Sequence, residues 1–203
     1  MARWMKAISL GLALTFLISL CGFSYDCEEI RSQVLRLHVL ANSDSEEDQQ
    51  LKLKVRDAVI EAAAGLFDGV RQETAAKQVA QEHLAALNRA AQQAVYDEGY
   101  TYPVTACLTR MYFETREYDA GTMPAGMYDA LRITIGEGAG HNWWCVAFPP
   151  LCVASATEHA TELSDVLTDS QQAIVEQPQK YEVRLKVVEW VEDIGNAIRE
   201  WTA

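Results

Sequence analysis

Apolar and polar residues alternate from Val34 to Leu40, with Leu35, Leu37 and Val39 on one side and Arg36 and His38 on the other. This period of two predicts a half-buried strand. The period then changes. Leu51, Val55, Ala58, Val59, Ala62 and Leu66 share less than about 110° of a helix surface, which predicts a core-facing helix. Its start is marked in ANSDSEEDQ, where Ser43 with Glu46 and Ser45 with Asp48 both fit a capping box. Leu53, Ile60 and Phe67 make a second stripe, seven residues apart on nearly the opposite side. That stripe is expected to lie beneath the next helix, with a docking surface as the alternative. Gly65 and Gly69 bracket a turn into a second helix, about Gln72 to Glu98, with Gly99 at the position of a left-handed cap.

Strand patterning resumes at Tyr102, where Val104, Ala106 and Leu108 alternate with Thr105, Cys107 and Thr109; Pro103 suits a strand start or an edge. Met127 to Ile135 places Leu131, Ile133 and Ile135 on one face. Trp143 to Phe148 is aromatic, β-branched and free of charge, and Pro149 and Pro150 end it. The last two strands are expected to pair as a hairpin across Gly136, Gly138 and Gly140. A helix near Thr157 to Leu167 and a break at Gln177 and Pro178 follow. A last helix then gathers Val187, Trp190, Val191, Ile194, Ile198 and Trp201 within about 100°, a stripe expected to pack on the domain or on a partner helix. Two consecutive helices followed by sequential strands predict an α+β fold, an antiparallel sheet with helices mainly on one face.

Arg3 and Lys6 precede an apolar run, Ala7 to Phe23, broken only by Ser, Thr, Gly and Cys, which reads as a secretory signal or a retained membrane anchor over residues 1–24. Its seventeen residues sit at the lower limit for crossing a bilayer. The remainder is long enough for one domain with a sizeable core, read as residues 30–153 with a C-terminal helical extension, 154–203. The formal net charge of −12 excludes nucleic acid as a partner and disfavours anionic lipid surfaces. Membrane contact is therefore expected only through the N-terminal segment.

Candidate chemistry concentrates in GEGAGHNWWCVAFPPLC, residues 136–152. Cys145 and Cys152 are predicted to form a disulfide, which export makes chemically possible. Buried inert thiols are one alternative, and a thiol nucleophile formed by Cys145 with His141 is the other. Asp44, Glu46 and Asp48 alternate as in a calcium loop, but Gln49 stands where that loop needs glycine and no glutamate closes it. His38 is read as a surface or hydrogen-bonded histidine, because no second His or Cys lies at ligand spacing. No metal, cofactor or small-molecule ligand is inferred. Glu137, His141, Asn142, Trp143 and Trp144 are candidate partner contacts, because a plain hairpin could manage with a two-residue turn. Leu53, Ile60 and Phe67 are a second candidate patch.

Three stretches together resemble a known family: LRLHVLANSDSEEDQQLKLKVRDAV at 35–59, MPAGMYDALRITIGEGAGHNWWCVAFPPLC at 123–152, and the N-terminal apolar segment. They resemble the stage II sporulation protein R family, with the similarity running from about Ile30 to Val153. The resemblance implies signalling and no catalysis by this chain. Such a protein is made in the forespore and exported into the space between two membranes. There it is needed to activate a membrane-embedded aspartic protease of the mother cell, which cleaves the precursor of sigma factor E. A secreted thiol-dependent hydrolase using Cys145 and His141 is the alternative reading.

Overall fold

The computed structural model describes residues 2–118, 121–149 and 162–202. In chain order the elements are α1 (Ala2–Ser32), β1 (Leu35–Leu40), α2 (Glu46–Ala63), α3 (Glu73–Asp97), β2 (Val104–Phe113), β3 (Arg116–Tyr118), β4 (Gly121–Met123), β5 (Gly126–Ile135), β6 (Asn142–Phe148), α4 (Leu163–Val166), α5 (Asp169–Glu176) and α6 (Glu182–Thr202), with a 3-10 turn at Pro178–Lys180 before α6. They fall into two compact units. One comprises Gln33–Tyr112 and Met127–Leu167, the other Met1–Ser32, Phe113–Gly126 and Thr168–Ala203.

The first unit is an α+β layer structure. Its sheet has the order β2-β5-β1-β6, with β1 parallel to β5 and antiparallel to β6. The helix-facing side of the sheet supplies Leu37, Val39, Val104, Leu131, Ile133, Ile135 and Cys145 to a core closed by Leu51, Val55 and Val59 of α2 and Leu87, Ala91 and Val95 of α3. Leu51, Val55 and Val59 belong to the stripe that the helical period marks on α2, whereas Ala62 at its end is exposed and Ala58 half-buried. Ser45 caps α2 by accepting from the Asp48 amide at 3.2 Å, and three acids in the first turn complement the helix dipole. At the end of α3, Gly99 takes φ +81° and the Tyr100 amide returns to the Val95 carbonyl at 3.0 Å.

The expected hairpin of β5 and β6 does not form, because β1 lies between them. A one-sided alternation specifies a strand but not its neighbours; a chain of six residues, 136–141, is long enough to step across one strand. Insertion also changes β1 itself. All six of its residues are buried, including Arg36 at 0 % and His38 at 2 % exposure, so the strand is central and its polar side faces no solvent.

In the second unit, α1 is a continuous helix that runs past Ser24 to Ser32. Its apolar N-terminal part is exposed and is long enough to cross a membrane. Its C-terminal part is packed: Phe23, Cys27 and Ile30 are buried. The Arg31 guanidinium donates to the Ala125 carbonyl at 2.6 Å, and to the carboxylates of Glu28 at 2.6 Å and Glu192 at 3.1 Å. Phe23 stacks on Tyr181, 5.6 Å between ring centres. The short β3-β4 hairpin, which sequence patterning does not mark, joins this unit, and Gly121 is required where its backbone passes Val175 of α5. The apolar stripe of α6 does not pack. Trp190, Val191, Ile194, Ile198 and Trp201 are 58–88 % exposed, while Leu185 and Val188 form the buried side.

Candidate functional site

The chain between β5 and β6 is a strap drawn tightly over the end of β1. The Gly136 amide donates to the Pro103 carbonyl at 2.9 Å, that of Ala139 to the Asn42 carbonyl at 3.1 Å, and that of Gly140 to the Ala41 carbonyl at 3.0 Å. The Glu137 amide donates to Asn42 Oδ1 at 3.0 Å. A Cβ placed on Gly140 would stand 2.1 Å from the Ser43 carbonyl oxygen, and one on Gly136 would stand 2.2 Å from Asn42 Oδ1. Gly136 and Gly140 are therefore demanded by close approach to the segment after β1, and Gly138, at φ +62°, by the Thr134 side chain of β5. A partner surface is not needed to explain them.

The two anchors at the far end of the strap come from the start of α2. Asp44 accepts from the His141 amide at 2.5 Å and holds the His141 ring through Nδ1 at 2.5 Å. These hydrogen bonds keep the Asp44 carboxyl below its usual range. Lys52, 5 % exposed, donates from Nζ to the His141 carbonyl at 3.0 Å and to Gln49 Oε1 at 2.6 Å; its burial lowers its pKa. Asp48 turns inward to accept from Asn42 Nδ2 at 2.8 Å and Ser43 Oγ at 2.6 Å. Burial opposes its ionisation, but the bonds from Ser43, Asn42 and Tyr102 hold its carboxyl below the usual range. Asp44 and Asp48 of the acidic segment thus use their carboxylates on internal donors, while Glu46 and Glu47 are exposed. Among the described residues no group of three or more His, Cys, Asp or Glu side chains converges as a metal site would.

The two tryptophans at the start of β6 point to opposite sides of the sheet, as adjacent strand residues must. Trp143 packs partly on the helix-side core and lies under the Arg56 guanidinium of α2, 4.8 Å from its ring centre. Trp144 stacks on His38 with ring centres 4.0 Å apart and planes 2° from parallel. His38 Nε2 meets Asn142 Oδ1 at 3.0 Å. Burial pushes the His38 imidazole down to about 4, with Arg132 adding to the effect and the Asn142 bond opposing it. His38 is therefore neutral at physiological pH, and with the amide oxygen of Asn142 facing it, Nε2 carries the proton. Both rings have covering neighbours and both remain half-buried.

The strap brings Glu137, His141, Asn142, Trp143 and Trp144 together at one end of the sheet; of these Glu137, His141 and Asn142 are exposed. It does not bring Leu53, Ile60 and Phe67 into a common surface. Phe67 is buried at 8 % exposure, its ring 5.9 Å from that of Phe148 in a second core cluster, and Ile60 packs against the main core, while Leu53 is half-buried. Sequence reasoning missed Asn42, Asp44, Lys52, Arg56 and His38 as the residues that hold the strap and the tryptophans. No local pattern signals them, since their partners lie about 100 positions away. Cys145 is disulfide-bonded and fully buried, whereas Cys21, Cys27 and Cys107 are free thiols; the expected partner, Cys152, lies outside the described residues. With its sulfur in a disulfide, Cys145 offers no thiolate, and the His141 ring is 80 % exposed and held on Asp44. The Cys145 and His141 pair that a thiol nucleophile needs is not assembled.

The family model described as "Stage II sporulation protein R (spore_II_R)" matches residues 31–158, which include β1, the strap and β6. The chain belongs to the stage II sporulation protein R family. A curated relative, "Stage II sporulation protein R" of Bacillus subtilis (strain 168), is 34 % identical over 185 residues, covering 81 % of this chain and 83 % of the relative. No solved structure matches. The family's matched region contains the strap and both tryptophans, while α6 lies beyond it.

Proposed function

We propose that this stage II sporulation protein R family member is an exported signal that activates a membrane-embedded aspartic protease, which then processes the precursor of sigma factor E. The observation that carries the reading is the family match over 31–158 joined to an N-terminal apolar helix suited to export or anchoring. With Asp44 and Asp48 engaged in internal hydrogen bonds that hold the strap, these two carboxylates fit a structural role better than a catalytic one. In this reading the protein is released from, or anchored at, the forespore side of the intermembrane space, and any catalytic aspartates are the partner's. Glu137, His141, Asn142 and the half-buried edges of Trp143 and Trp144 are the strap's contribution to contact.

The test is reconstitution of the full chain with the membrane protease and the sigma precursor. Cleavage should depend on the chain. Trp143→Ala and Trp144→Ala, each checked by thermal unfolding, should lower cleavage further than their loss of stability explains; parallel losses would confine the tryptophans to folding. Absence of cleavage with the wild-type chain and a demonstrably active protease would sink the activator reading.

A further inference from the structure

α1 changes its surroundings part-way along its length. Its large apolar side chains from Trp4 to Ile18 are exposed, whereas Phe23, Cys27 and Ile30 are buried. Ile8, Leu10, Leu12, Leu14, Phe16 and Ile18 are 54–72 % exposed, and at 100° per residue they spread over about 240° of the helix surface. A groove or a partner helix covers one face; a helix apolar around most of its girth is suited to lipid. The Thr15 hydroxyl donates to the Gly11 carbonyl at 2.9 Å, so it is satisfied within the helix as hydrocarbon requires.

The dimensions match a bilayer. Nineteen uncharged residues separate Lys6 from Asp26, about 28 Å of helix against a hydrocarbon core of about 30 Å. The run exceeds the apolar stretch of about 7–15 residues in a secretory signal. Trp4 and Tyr25 are 78 % and 65 % exposed. They stand about 31 Å apart along the axis, the spacing of the two interfaces at which such rings collect. Arg3 and Lys6 lie at one end and Asp26, Glu28 and Glu29 at the other, which puts the N-terminal end on the cytoplasmic side and the rest of the chain outside.

The outer end of the helix is also built into the fold. Small residues at Gly22 and Ser24 would admit a signal cut after Ser24, but that cut removes Phe23. This side chain is 3 % exposed, stacks on Tyr181 and lies under the Arg184 guanidinium, 5.9 Å from its ring centre. A cut after Cys21 leaves Phe23 in a frayed first turn. Further along, Arg31 Nη1 donates to the Ala125 carbonyl at 2.6 Å, and the helix runs unbroken from the exposed part into the packed part. A cavity of about 270 Å³ lies beside this outer end, between Ser19, Gly22 and Asp26 of α1 and Ser170, Tyr181 and Arg184. Measured from Trp4, Ser19 to Asp26 covers about 22–33 Å, the depth of the outer headgroups. There the hydroxyls and the guanidinium suit a lipid phosphate, and Asp26 suits the ammonium of the same headgroup.

We propose that α1 is an uncleaved anchor in a phospholipid bilayer and that a zwitterionic headgroup fills the cavity between its outer end, Ser170, Tyr181 and Arg184. This rests on the exported placement in the activator reading, and the test uses neither protease nor precursor. The full chain, tagged at its C-terminus, is expressed in a bacterium with its own signal peptidase, extracted from membranes and weighed by intact mass spectrometry. It should carry the whole of α1 and stay in the membrane through an alkaline carbonate wash. A chain that begins after Cys21 or after Ser24 overturns the anchor. The thermal midpoint of the wild type should be several degrees higher in phosphatidylcholine nanodiscs than in a maltoside detergent, which has no phosphate. Arg184→Glu should lose most of that gain and keep the wild-type midpoint in detergent, since Arg184 is exposed. Phe23→Ala should lower the midpoint in both. No gain, or a gain that Arg184→Glu leaves intact, overturns the headgroup site; an unchanged midpoint for Phe23→Ala overturns the packing of the outer end. Precursor cleavage triggered by a chain that has lost α1 would keep the activator reading without the anchor, and a retained α1 in a chain that triggers no cleavage would do the reverse.

Discussion

His38 shows how environment decides between the two expected roles, a surface or a hydrogen-bonded histidine, in favour of the second. On the alternating pattern it belongs to a solvent side, yet it is 2 % exposed, stacked on Trp144 and bonded to Asn142. In the unfolded chain its imidazole takes a proton near pH 6.5, whereas in the fold it does so only at about 4. Between those values the unfolded state binds the extra proton. The stabilisation from neutral His38 is therefore complete above about pH 6.5 and is lost as the pH falls toward 4. The gap limits the effect to about 3 kcal/mol. Urea unfolding at pH 7.5, 5.5 and 4.5 should show a steeper loss for wild type than for His38→Gln, which keeps a donor for Asn142. Carboxylates such as Asp48 contribute to both proteins, so the difference isolates the imidazole. Equal slopes would place the titration elsewhere.

The strap gives the same lesson for an element. Its three glycines, and the length beyond a two-residue turn, were legible as a special backbone. Their cause was not, because the atoms they avoid belong to Asn42, Thr134 and Ser43. The hairpin expectation failed for a related reason. Periodicity reports which side of a strand is apolar, and both a hairpin and a sheet with β1 inserted satisfy it. Gly140→Ala tests the tight crossing directly. The added carbon meets backbone, which can yield only by moving the strap or the Ala41–Asp44 segment, and overpacking of this kind costs about 1–3 kcal/mol. Thermal unfolding should record a lower midpoint. An unchanged midpoint would show that the crossing is looser than 2.1 Å implies.

For the whole molecule, the N-terminal apolar helix is compatible with a signal or an anchor, and under the export proposed above it would govern the cysteine chemistry. A membrane-crossing or exported chain meets an oxidising environment, where a bonded Cys145 is stable. Non-reducing peptide mapping of the exported protein should yield a peptide joining Cys145 to Cys152, with Cys27 and Cys107 alkylated as free thiols. Recovery of Cys145 as an alkylated thiol under oxidising conditions would rule out the pairing.

By itself the sequence determined the fold class, the positions of β1, α2, α3 and α6, the break at Pro178 and the family. Each of these is written in local periodicity, caps and breakers, or in long uncommon motifs. Tertiary structure decided the rest. The order β2-β5-β1-β6 depends on which strands meet, and the burial of Arg36 depends on the Cys145 carbonyl and the Tyr128 ring that receive it. The side on which α6 packs could not be read from its stripe. A helix buries the face whose neighbours are present, and here Phe23 and Arg31 of α1 meet the stretch from Tyr181 to Glu192 while the apolar side is left open.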